Sequence, residues 1–209
     1  MKSVIAVQFA RKLSGRTNYR KRLALLKSSL PRLVVRKTLG SIILQVIDFE
    51  AAGDKVKVTV TSKKLRELGW KHSCKNIPAA YLAGMLLAKA ALAGKTGEVT
   101  PDIGLQSVTR GGKIFAALKG AKDAGLSFQL SDEVVPSNDA ITGAKIAAYA
   151  KSVKPTQFSK AGSAVVKITE DFEKIKAAIS SGQGIPANLF GKKAYQKTET
   201  KNVTKSDEW

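Results

Sequence analysis

The densest concentration of reactive side chains in this sequence is cationic. Gly15-Arg16-Thr17-Asn18-Tyr19-Arg20-Lys21-Arg22 gathers four cations, a hydroxyl, an amide and an aromatic ring into eight consecutive residues. Lys and Arg neutralise phosphates, and Arg forks to two phosphate oxygens or stacks on a base. Thr, Asn and Tyr reach sugars and base edges. That mixture suits RNA. Residues 1–37 hold 11 basic residues and no acidic one, and over half of the net charge of +20 lies there. A charge that served only solubility would be scattered, so this one marks a docking arm for a polyanion.

Other residues with chemical potential are weaker candidates. Asp48 and Glu50 are two apart and would share a strand face, as a magnesium-dependent nuclease requires. They adjoin a turn, however, and read as a solvated strand end. His72 and Cys74 have the types of a base and a nucleophile, but no third residue is evident to orient them. With one His and one Cys in the chain, a four-ligand Cys/His zinc site and an intrachain disulfide are both excluded. Trp70 and His72 offer a second, weaker place for stacking or bonding at an RNA surface. Gly111-Gly112-Lys113 resembles a phosphate loop, yet position 107 is Ser107 rather than Gly, and Ile114 stands where Ser or Thr is needed. What remains there is a helix start beside Arg110 and Lys113, able to receive an RNA phosphate. No catalytic residue, metal, cofactor or small-molecule substrate is expected.

The elements that must position these residues are legible. Residues 1–29 read as a basic arm, in which Arg11 and Lys12 precede a short helix over Asn18 to Ser28 with Tyr19, Leu23 and Leu26 on one side. Pro31 ends it. Arg32 to Thr38 reads as a strand, with Leu33 and Val35 on one face and Arg32, Val34 and Arg36 on the other. Ile42 to Phe49 is almost continuously apolar and suits a central strand covered on both faces. Lys55 to Thr61 alternates, with Val56, Val58 and Val60 inward.

Helical signals follow. Asn76 caps a helix, Pro78 fits its first turn and Gly94 stops it. Val99 to Leu105 is a short strand candidate. Gly112 to Ala124 reads as a helix, and Asn138 caps another that carries Ile141, Ile146 and Tyr149. Thr169, Glu170 and Asp171 open a last helix with Phe172, Ile175 and Ile179 on one face and Gly182 as its stop. The order predicts an α/β fold: a mixed sheet with helices on both faces, spanning 30–150. A C-terminal helix and an extended basic tail occupy 151–209. The apolar run from Ile77 to Gly94 contains Pro78 and Lys89 and reads as a buried helix rather than a membrane span. The start of the chain has too short an apolar run for a signal peptide, so a cytoplasmic location is expected.

Several of these segments are familiar in order. Arg16-Thr17-Asn18-Tyr19-Arg20-Lys21-Arg22-Leu23, then Leu25-Leu26-Lys27-Ser28 and Pro31-Arg32-Leu33-Val34-Val35-Arg36, resemble the archaeal and eukaryal branch of large-subunit ribosomal protein family eighteen. The likeness continues through Gly69-Trp70, Asn76-Ile77-Pro78-Ala79-Ala80-Tyr81-Leu82-Ala83-Gly84 and Asp102-Ile103-Gly104-Leu105. It resumes at Gly112-Lys113-Ile114-Phe115-Ala116-Ala117-Leu118-Lys119-Gly120-Ala121. It runs from residue 11 to residue 150 and looks archaeal in type, since the long eukaryal extension is missing.

The resemblance implies an α/β sandwich that binds 5S ribosomal RNA in the central protuberance of the large subunit. Large-subunit rRNA and neighbouring ribosomal proteins would be its other partners, with no membrane among them. Carried onto this chain, it points to Arg16, Thr17, Asn18, Tyr19, Arg20, Lys21, Arg22, Lys27, Arg32, Arg36 and Lys37 as RNA contacts. The arm cations Arg11 and Lys12 join them on charge. Two other functions compete: the nuclease built on Asp48 and Glu50, and an anionic-membrane binder using the 18–28 helix.

Overall fold

The computed structural model describes residues 7–152 and 162–182. The arm opens with a single turn, α1 (Ala10–Leu13), followed by α2 (Tyr19–Leu26). Asn18 starts α2 because its Oδ1 accepts the Lys21 backbone N–H at 3.1 Å, satisfying one of the free donors of the first turn. The helix has no fully buried residue, and Leu23 is 60% exposed. The apolar side expected for it is therefore only partly used: Tyr19 and Leu26 are half-buried and Leu23 faces out.

Four strands form one mixed sheet in the order β3-β2-β1-β4. They are β1 (Arg32–Lys37), β2 (Ile42–Asp48), β3 (Lys55–Thr61) and, after α3 (Ile77–Ala93), β4 (Thr100–Asp102). β2 runs antiparallel to both β1 and β3, whereas β4 runs parallel to β1. Leu33 pairs with Val46 and Val35 with Leu44, so one face is a continuous apolar surface. Arg32, Val34 and Arg36 occupy the other face, as period two requires.

Two strand details differ from expectation. The register of β2 and β3 shifts between Val46 and Ile47, so Val56 partners Ile47 on the second face and is only half-buried. A bulge of this kind breaks the simple alternation that grouped Val56 with Val58 and Val60. β2 is central, but its second face is only partly covered: Ile47 is buried, whereas Ile43 and Gln45 are half-buried and Phe49 lies outside the strand.

α3 lies across the apolar face. Asn76 Oδ1 accepts the Ala79 N–H at 2.9 Å, Pro78 sits in the first turn, and Gly94 closes the helix. Thirteen of its 17 residues are buried, which explains why its apolar pattern is nearly continuous rather than striped. α4 (Lys113–Asp123) packs beside it with unusual closeness. A Cβ built at Gly84 would overlap the Ala117 carbonyl oxygen, and one built at Gly120 would overlap the Tyr81 carbonyl oxygen. The two glycines thus set the spacing of the helix pair. Gly84→Ala or Gly120→Ala is expected to lower stability by about 2 kcal/mol in urea unfolding, because overpacking outweighs the roughly 0.5–1 kcal/mol of helix propensity gained. An unchanged midpoint would refute the close contact.

Two shorter helices, α5 (Asn138–Thr142) and α6 (Ala144–Ser152), replace the single one expected after Asn138. Gly143 between them has φ of +85°, a left-handed conformation that ends α5, and Ile168 and Pro78 side chains crowd the space a Cβ would take. The start also shifts by one residue, with Ser137 at the N-cap. A 3₁₀ segment, Gly162–Lys167, leads into α7 (Ile168–Ser180). Ile168, Phe172, Ile175 and Ile179 of α7 are buried in the same hydrophobic cluster as the sheet and α3.

Phe172 lies 5.7 Å from the Tyr81 ring, centre to centre, and Tyr81 donates its hydroxyl to Asp123 at 2.8 Å. Burial, and then the Asp123 carboxylate, push this phenol above its ordinary pKa. α3 and α4 cover one face of the sheet, and α2 lies over part of the other. The extended tail expected after Gly182 falls outside the described residues.

Candidate nucleic-acid interface

The second face of the sheet and the arm above it form one charged surface. Its frame is a ladder of alternating ions. Arg22 of α2 meets Asp54, in the β2–β3 turn, with Nη2 at 2.8 and 2.9 Å from the two carboxylate oxygens. Arg32 of β1 donates to the same Asp54 at 2.7 Å and to Asp102 of β4 at 3.1 Å. Arg36, two repeats of the pleat further along β1, reaches Asp102 Oδ1 at 3.2 Å and the Asp102 carbonyl at 2.8 Å. Three arginines and two aspartates thus tie the arm, two strands and a turn together.

Gly104 completes the ladder. Its N–H donates to Asp102 Oδ1 at 2.8 Å, its φ is +68°, and a Cβ there would come within 2.8 Å of Arg36 Cζ. Only a residue without a side chain lets the guanidinium lie against this backbone.

The residues predicted from sequence take different places on this frame. Arg11, Lys12, Arg16, Arg20, Lys21, Lys27 and Lys37 are exposed. Arg11 donates to Thr17 Oγ1 at 3.0 Å, and Asn18 is committed to capping α2. Tyr19 packs on Phe9, 5.1 Å between ring centres, leaving Phe9 70% exposed. Lys37 donates its backbone N–H to Gln106 at 2.9 Å and its ammonium to the Ser107 carbonyl at 3.0 Å. Arg22 and Arg36 are half-buried.

Arg32 departs most from expectation. Its side chain is 5% exposed, held between two carboxylates. Its place is structural: it binds Asp54 and Asp102, which the sequence left unassigned. Their separations from Arg32, 22 and 70 residues, leave no local signal.

The other chemical candidates resolve into ordinary contacts. Asp48 pairs with Lys57 at 2.7 Å, and Glu50 with Lys55 at 3.6 Å. Among the described residues no cluster of three or more His, Cys, Asp or Glu is placed to hold a metal ion. His72 Nε2 lies 2.9 Å from Asp171 of α7, and Cys74 is buried. Trp70 is 2% exposed and gives its indole N–H to the Ser73 carbonyl at 3.2 Å, so it is a core residue and not a stacking surface. Among the described residues no helix is long and apolar enough to cross a membrane.

An acid-free cationic arm clamped over a sheet face is the electrostatic footprint expected of a polyanion-binding α/β protein. Residues 4–99 match the model of the family described as ribosomal large subunit proteins 60S L5 and 50S L18. The chain is 42% identical, over 183 residues, to the large ribosomal subunit protein uL18 of Korarchaeum cryptofilum (strain OPF8). That match covers 84% of this chain and 94% of the relative, so it extends beyond residue 150, where the motif likeness stopped. The protein belongs to the L18 family of large-ribosomal-subunit proteins, and is a structural constituent of that subunit.

Proposed function

We propose that this protein binds 5S rRNA and helps attach it to large-subunit rRNA in the central protuberance, without catalytic activity. The observation that carries the reading is the acid-free arm, held by Arg22 and Asp54 over a sheet face that presents Arg36, with Lys37 exposed at the end of the same strand. RNA contacts are assigned to Arg11, Lys12, Arg16, Thr17, Tyr19, Arg20, Lys21, Arg22, Lys27, Arg36 and Lys37. Asn18 and Arg32 hold the arm and strand in place beneath them. Neighbouring ribosomal proteins and a cytoplasmic ribosome complete the setting.

The test is a titration of the full chain against 5S rRNA and against transfer RNA over a range of salt. Preference for 5S rRNA is expected. With about 6–10 phosphates engaged, duplex-type behaviour gives a slope of log K on log salt of roughly −5 to −9. Equal affinity for both RNAs, or a slope near zero, would defeat the proposal.

A further inference from the structure

Between the arm and the sheet lies a cleft of about 530 Å³. Its lining mixes charged and apolar side chains. Arg11, Arg16 and Lys21 line it from the arm, and Val34, Ile47 and Leu105 line it beside the ion-paired residues of the sheet side. Among those cations, none has an ion pair in the described residues, unlike Arg22, Arg32 and Arg36.

These features fit one nucleotide. The volume lies within the roughly 300–1,000 Å³ of ligand sites and is far too small for a duplex. A nucleotide combines the same characters, with an anionic phosphate and a flat base whose faces are apolar. We propose that the cleft receives a single nucleotide extruded from the bound RNA. Its phosphate sits among Arg11, Arg16 and Lys21, and its base lies against Val34, Ile47 and Leu105. Extrusion is least unfavourable where the nucleotide is unpaired, so the occupant comes from a loop or bulge. The inference rests on the 5S rRNA reading above and specifies how one point of that RNA is recognised.

The experiment is a scan of 5S rRNA in which single bases are removed while the backbone is kept, with each RNA titrated against the full chain. Removing one unpaired base is expected to raise Kd about tenfold or more, as loss of a stacked base does. A second arm fills the cleft from the protein. Ala24 and Leu105 both line it and are exposed, so Ala24→Trp and Leu105→Trp leave the core intact. Each is expected to raise Kd for intact RNA about tenfold, and to leave Kd unchanged for the RNA that lacks the critical base. Independent, multiplying effects would overturn the cleft. So would a scan in which intact RNA binds tightly and selectively yet no single base matters beyond twofold. Loss of 5S selectivity in the unmodified pair would instead remove the underlying RNA reading, and the cleft with it.

Discussion

A chain lacking residues 1–29 is expected to bind 5S rRNA on the order of a thousandfold more weakly than the full chain at moderate salt. The segment carries eight of the protein's 36 basic residues and no acid. Most of its cations are exposed and free of carboxylates, so each is available to displace a counterion from the RNA. Deletion also removes Arg22 from Asp54 and uncovers Val34 and Ile47, which mixes a structural loss into the result. A charge-only variant separates the two. Arg11→Gln, Arg16→Gln, Arg20→Gln and Lys21→Gln together keep the Asn18 cap and the Arg22–Asp54 pair. That variant should flatten the salt slope by roughly 3–4 and lose most of the affinity lost on deletion. Undiminished binding after deletion would end the arm's role.

Asp102→Ala is the substitution expected to damage the fold most. Asp102 is 7% exposed and accepts from Arg32, Arg36 and the Gly104 N–H. Its loss leaves Arg32, also buried, with only Asp54, which Arg22 already shares. Breaking a buried pair from one side typically lowers stability by about 3–5 kcal/mol, because an uncompensated charge stays in a poorly solvated place. The surface pair Lys119–Asp123, by comparison, is worth about 0.3–0.5 kcal/mol as an i,i+4 helix contact. Urea unfolding measures the difference. Replacing both ends, Arg32→Met with Asp102→Leu, should lose less than Asp102→Ala alone, since no buried charge is then orphaned. A double variant as unstable as the single one would argue against electrostatics as the cause.

Much of the fold was legible because its signals are local. Asn76, Pro78 and Gly94 bound α3 as predicted, since caps and first-turn prolines act within four residues. Phe172, Ile175 and Ile179 marked the buried face of α7 by spacing alone. The failures have a common physical origin. Gly143 looks like an interior helix glycine until Pro78 and Ile168 are packed beside it. The register shift near Ile47 depends on how β3 meets β2, not on either strand's own residues.

The candidate interface divides the same way. The exposed cations of the arm were visible as a run of charge. Arg32 was visible too, but the carboxylates that bury it come from a turn and a distant strand. Likewise, Trp70 gave no sign that it would be buried in the core.

The ladder from Arg22 to Arg36 also decides when the arm loses its freedom. A loose basic peptide orders only upon meeting its partner, and each backbone fixed then subtracts about 1–2 kcal/mol from binding. Here Asp54, fixed to the sheet by Arg32, meets Arg22 and holds α2 against the sheet in the unbound protein. The ordering of those eight helical residues therefore belongs to the folding reaction. Association becomes the docking of a preshaped body, with a smaller entropic penalty and a smaller heat-capacity change than coupled folding would show.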